Sequence, residues 1–307
     1  MNESLPKTAG ELRAGVARNV ITTSTPETRV NDQLFVKALV LDDGETRLAI
    51  VAMDAVAIGG ICDVRDTFLP MLRTRIESEL GIDGDHVLVN ASHTHPPGRI
   101  LCEDEDLLDR SFDAVRRAAS ELTPVKVGVG IGHEDRITMN RTLRLHDGNH
   151  WTARHANPCP PDEDVADIGP QDPEIGILRI DRTNGQPLAV VYNFACHLLF
   201  GDAQGSVTAN FVGVASRVIE STPGHGATAL FLQGAAGDVM DVLFKDFHRP
   251  PDVESLGNIL AVSTLSALRK IRTGDAALAL ITEIIKLPRR TDIPKRSGTL
   301  NRNKPSC

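Results

Sequence analysis

Two histidines one residue apart close an apolar run: Val87-Leu88-Val89 leads through Asn90-Ala91-Ser92 into His93-Thr94-His95 and then Pro96-Pro97-Gly98. Positions i and i+2 of an extended segment share a face, so this step can aim two imidazoles at one point, as a metal site requires. The two prolines cannot continue a central strand and force a turn where a binding mouth would open. A His-x-His pair taken alone is more often solvated than metal-bound. His197 changes that balance, because it too ends an apolar run, Leu188-Ala189-Val190-Val191-Tyr192-Asn193-Phe194-Ala195-Cys196. A third run, Ala229-Leu230-Phe231-Leu232, passes through Gln233-Gly234-Ala235-Ala236-Gly237 to Asp238, with glycines that let backbone approach a ligand closely. Apolar strands that end in His, His and Asp place reactive groups where α/β proteins carry their chemistry.

The elements that must position these groups follow from periodicity and turn chemistry. Val36–Leu41 and Arg47–Ile58 flank Asp42-Asp43-Gly44-Glu45 and read as a hairpin. Val64, Phe68, Leu72, Ile76 and Leu80 repeat at helical spacing, and Pro70 inside that run predicts a kink or a helix starting near Phe68. His86–Asn90 is then a strand, Asp106–Leu122 an amphipathic helix and Val125–Ile131 another strand. Hairpin, helix and strand recur in the second half: Ile175–Asp181, the turn Thr183-Asn184-Gly185, Leu188–His197, Ala209–Glu220 and Thr228–Gln233. An internal ββαβ duplication is expected, which would bring the strand ends at Asp54 and His93 close to those at His197 and Asp238. Asp252–Ile271 reads as a closing helix and Ala277–Leu287 as a closing strand. Between the halves, residues 148–173 hold Pro158, Pro160, Pro161, Pro170, Trp151, His150 and His155, and read as an irregular loop that could lie over a site.

Bulk composition bounds the function. The chain has 307 residues and is 41% hydrophobic, enough for a real core. Its net charge of −8 argues against a general nucleic-acid binder, which needs a basic footprint. No stretch approaches the ~20 apolar residues of a membrane span, and Met1-Asn2-Glu3-Ser4-Leu5-Pro6-Lys7 lacks a signal-like apolar run, so a cytoplasmic protein is expected. Five cysteines without close pairing suggest neither a disulfide framework nor a metal knuckle. Cys196 beside His197 reads as core packing, since adjacent strand residues face opposite ways.

Taken in order, Gly15–Thr22, Ser92–His95, Asn140-Arg141, Asp172-Pro173-Glu174-Ile175-Gly176, Asn193–His197 and Gly234–Asp238 resemble the motifs of the neutral/alkaline non-lysosomal ceramidase family. That family shows a His-Thr-His-Ser-Gly-Pro-like motif, a later Asn-Phe-x-x-His and a Gly-Asn/Asp-x-Ser-Pro element. The resemblance runs from about Leu12 to Pro288. It implies an α/β fold of two mixed sheets flanked by helices in αββα layers and a hydrolase domain over 1–288, while residues 289–307, with Arg289, Arg290, Lys295, Arg296, Arg302 and Lys304 against the single acid Asp292, read by composition as a basic, disordered tail. It further implies a zinc-dependent hydrolase of linear amides, acting on a small-molecule amide or lipid amide. His93 and His197 would be zinc ligands, while His95 and Arg141 would bind or polarise the amide carbonyl. The family's serine falls on Met240, and its remaining ligands, a Glu and a Tyr, have no matching motif here. Asp54 and Asp238 are therefore weaker candidate ligands, or acceptors that orient an imidazole. With two histidines assigned, zinc is expected to bind weakly. The alternative is a truncated or degenerate domain that binds or assembles without catalysis, and a homo-oligomer stays open.

Overall fold

The structure, a computed structural model, describes residues 11–95, 98–153, 160–199, 205–222, 224, 226–241, 252–286 and 288. The first half holds β1 (Arg13–Val20), β2 (Phe35–Asp42), β3 (Arg47–Met53), α1 (Phe68–Leu80), β4 (Val87–Ala91) and α2 (Asp104–Ser120). Then come β5 (Thr123–His133), β6 (Met139–Asn140), β7 (Thr142–Leu145), β8 (His150–Thr152) and β9 (Val165–Ile168). The second half continues with β10 (Glu174–Arg182), β11 (Pro187–Phe194), α3 (Asn210–Ser221), β12 (Thr228–Gln233), β13 (Val239–Met240) and α4 (Val253–Leu268).

Eight strands form one order, β12-β11-β10-β5-β1-β2-β3-β4, but the central β5–β1 joint pairs only Arg13 with Pro124 and Ala14 with Thr123. So short a joint lets the sheet fold into two layers of four strands. The end strands then come together, with the Gln233 N–H donating to Asn90 Oδ1 at 2.9 Å. In each layer an antiparallel hairpin leads through a helix to a parallel edge strand: β2, β3, α1, β4 in one and β10, β11, α3, β12 in the other. The layered α/β architecture expected from the sequence is the one found, with the same order of elements in both halves.

Strand alternation explains the layers. On β2, Val36, Ala38 and Val40 pack with residues of α1 and α2, while Leu39 and Leu41 point the other way and pack against Ile180, Leu188, Val191 and Leu230 of the opposite sheet. Both faces of β2 are covered, which is why its sequence is almost wholly apolar. On β11, Tyr192 and Phe194 join Phe211, Ile219 and Leu260 of α3 and α4 in the outer core.

Three expectations change. Residues 148–173 are not an irregular loop throughout: β8 pairs with β7, which pairs with β9, in a small three-stranded sheet. Leu143 of β7 supplies the buried apolar centre that holds it, packed with Met139, Ala153 and Met240; His155 lies outside the described residues. Residues 277–286 form no strand: their backbone joins no ladder on β4 or β12, the two end strands of the sheet. That segment is held by single bonds, Leu278 N to Asp43 Oδ2 at 3.1 Å and Thr282 Oγ1 to Asp85 O at 3.2 Å, and Ile281 is 92% exposed. The closing helix stops at Leu268 rather than Ile271. The basic tail over 289–307 lies outside the described residues. Among the described residues no helix is long and apolar enough to cross a membrane.

Candidate metal centre

The histidines meet at the carboxyl ends of the two parallel strand pairs, β3/β4 and β11/β12, one pair in each layer. After β4 the chain keeps running beside the continuation of β3, with Ser92 N–H bonded to Met53 O and His93 N–H to Ala55 O, both at 2.8 Å. His93 then takes φ 67°, in the left-handed region that non-glycine residues rarely adopt. This turn lets its Nδ1–H donate to Val56 O at 2.5 Å. His197, beyond the end of β11, bonds through its N–H to Val239 O at 3.2 Å and through Nδ1–H to Ala236 O at 2.5 Å. Each imidazole is thus oriented by a backbone carbonyl from a neighbouring strand-end loop.

Those two bonds settle what Nε2 offers. A neutral imidazole that donates from Nδ1 carries only a lone pair on Nε2. Yet the Nε2 atoms of His93 and His197 are 3.0 Å apart, and His95 Nε2 is also 3.0 Å from that of His93. All three lie within 4.8 Å of one another. A hydrogen bond between His93 and His197 would need an imidazolium, whereas a neutral His95 protonated on Nε2 would donate to His93. Burial lowers the pKa of His197, and the neighbouring His93 and Arg141 lower it further, so the neutral form is favoured there. The lone pairs of His93 and His197 at this distance repel each other unless a cation lies between them. Two nitrogens at ~2.0–2.1 Å from one zinc stand about 3–3.5 Å apart, so the donor set fits a metal ion.

The other expected site residues fall around this cluster. Arg141 lies between β6 and β7, with its N–H on Asp238 O at 2.8 Å and its guanidinium on Gly237 O. Asp238 turns its carboxylate to Asn140, whose Nδ2 is 2.9 Å away. Asp54 accepts from Phe35 N–H at 2.8 Å, and burial pushes its carboxyl up to about 6 against the opposing charge of Lys37. Neither carboxylate joins the histidine group. His95, exposed at the mouth, stands with the two expected ligands and not apart from them. What spacing could not reveal is the orienting carbonyls of Val56 and Ala236, because they depend on how the loops fold back. Cys196 is fully buried in the outer core, as packing required.

No family model matches the chain. Among solved structures, a ceramidase solved in complex with C2 matches 85% of this chain with a TM-score of 0.65 and 18% sequence identity. The neutral ceramidase from Pseudomonas aeruginosa matches 85% with a TM-score of 0.64 and 19% identity. This chain covers 44% and 45% of those two chains. The chain therefore has the fold of somewhat less than half of a neutral ceramidase, with three converging imidazoles at its strand ends.

Proposed function

We propose that this chain is a zinc-dependent amide hydrolase of the neutral ceramidase type, with His93, His95 and His197 holding the metal and an N-acyl amide as substrate. The observation that carries the reading is the convergence of three Nε2 atoms, two of them fixed as lone-pair donors by backbone carbonyls. Three protein ligands are the complement of a catalytic zinc site, one more than the motifs alone supplied. Zinc in that position supplies Lewis acidity toward an amide carbonyl and toward water. The chain's own residues do the rest. Carbonyl contacts keep the His93 and His197 rings in one tautomer and one orientation, which sustains metal affinity. Arg141 brings a permanent positive charge beside His197, suited to receive the carbonyl oxygen as it gains negative charge. A lipid amide, the substrate class that the ceramidase neighbours suggest, is the first to assay.

The test is metal analysis and amidase assay on the purified protein. One zinc per chain, removable by chelator and restored on addition, with turnover of an N-acyl amide is the expected result; His197→Ala loses both. Stoichiometric zinc without turnover of short or long N-acyl amides would favour the second reading, a binding or assembly module. The chain's coverage of less than half of its structural neighbours is the observation behind that alternative.

A further inference from the structure

One short segment serves both His197 and Arg141. The carbonyl of Ala236 takes the His197 ring, that of Gly237 the Arg141 guanidinium, that of Asp238 the Arg141 N–H, and that of Val239 the His197 N–H. The distance between the imidazole and the guanidinium is therefore set by how this segment sits against residues 139–141. The backbone pairing there is only two residues long, Val239 with Asn140 and Met240 with Met139. Two-residue ladders are weak, so something else must fix the register.

A bond between two side chains also crosses this ribbon, Asn140 Nδ2 to Asp238 Oδ2 at 2.9 Å. Asn140 is 2% exposed and fully engaged: its other Nδ2 proton goes to Pro170 O at 2.7 Å, and its Oδ1 accepts from Thr142 N–H at 2.8 Å. The backbone closes over it as well. A Cβ on Gly169 would stand 2.6 Å from Asn140 Cγ, so only glycine lets that strand end pass. A buried amide of this kind has one geometry open to it, and Asp238 reads that geometry out on the neighbouring segment.

Resting on the reading above, we infer that Asp238 is a positioning residue: its carboxylate oxygen, held by Asn140, locks Arg141 in register with His197. Asp238 was a weak ligand candidate on sequence grounds, and its carboxylate instead faces the amide that anchors Arg141. The role needs an acceptor oxygen and not a charge, so asparagine should fill it and alanine should not.

The experiment has two arms. In metal-free protein, amide hydrogen exchange by NMR should show Arg141 and Thr142 exchanging about tenfold faster in Asp238→Ala, near the wild-type rate in Asp238→Asn, and unchanged on β10 and β11 in both. In cobalt(II)-loaded protein, acetate binding followed in the visible spectrum should weaken about tenfold in Arg141→Ala, as loss of a charge-assisted hydrogen bond implies. Asp238→Ala should weaken it equally, Asp238→Asn should not, and the Arg141→Ala/Asp238→Ala double variant should be no worse than either single one. Independent, additive losses, or exchange that accelerates over the whole sheet, would overturn the proposal in favour of a merely structural aspartate. Failure of wild-type protein to take up cobalt would count against the metal reading alone, and the exchange arm would still decide whether Asp238 holds Arg141.

Discussion

His93 adopts a backbone conformation that costs an L-residue roughly 1–2 kcal/mol, and its ring is where that cost is recovered. Strained residues of this kind collect at sites that need a side chain aimed against the run of the chain. His93→Gly should therefore be more stable than His93→Ala by about 1 kcal/mol in chemical denaturation, although both lose the metal. Equal stabilities would mean that the left-handed turn is not native. A second residue-scale effect concerns Asp54, whose folded pKa of about 6 lies above the ordinary value of 3.8. Because the folded state prefers the protonated carboxyl, stability from this group is complete below pH ~4 and is lost as pH rises through about 6. Asp54→Asn keeps an acceptor for Phe35 N–H without the charge. Its melting temperature relative to wild type should rise between pH 5 and pH 8, and a constant difference would place Asp54 in water. The sequence made the meeting of His93 and His197 legible, since both end apolar strands in repeated units. The His93-Thr94-His95 spacing likewise showed that His95 could share a point with His93, although the family resemblance gave it a role at the substrate carbonyl and not at the metal.

At the scale of elements, close approach decides which residues are tolerated. A Cβ on Gly15 of β1 would lie 2.0 Å from the Ala118 carbonyl oxygen of α2, and one on Gly128 of β5 would lie 2.4 Å from Arg272 O. Backbone atoms cannot rotate out of the way as a side chain can. Gly15→Ala should cost about 1–3 kcal/mol or more by lifting α2 from the sheet, read as a lowered denaturation midpoint with metal stoichiometry intact. A wild-type midpoint would show that α2 does not pack so tightly. Elements with one strong period were readable: Pro70 is tolerated as the third residue of α1, where its missing N–H is an unpaired donor in any case. Asp252 caps α4 by accepting from Ser255 N–H at 2.8 Å. Residues 277–286 mislead because Leu278, Leu280 and Ile284 fall on one face at strand spacing, and pattern alone cannot say whether a sheet edge is free to receive them.

For the whole molecule, the candidate site exists only when the two layers are closed, since His93 belongs to one and His197 to the other. Besides the inter-sheet apolar core, a polar latch crosses the layers. Lys37 of β2, with a side chain 10% exposed, donates to Ala229 O of β12 and to Glu220 at the end of α3, both at 2.8 Å. Glu220 also accepts from Arg18 of β1 at 2.9 Å and from Ala229 N–H at 3.0 Å, so one carboxylate joins four segments. Lys37→Met fills the same space without the ammonium, which leaves the buried Ala229 carbonyl without this donor and Glu220 with fewer partners. The expected loss is about 1–3 kcal/mol, the cost of stranding buried polar groups, and Arg18 limits it by keeping one partner on Glu220. Apolar burial between the sheets should keep the variant folded at 25 °C, which permits the decisive measurement: metal affinity under conditions where all molecules are folded. If the latch sets how the layers meet, zinc affinity should fall in the folded variant as well, because a shift of a few tenths of an ångström between layers is felt at the paired Nε2 atoms. A variant of lower stability with unchanged metal affinity would show instead that the apolar core fixes the closure and that the latch only adds to it.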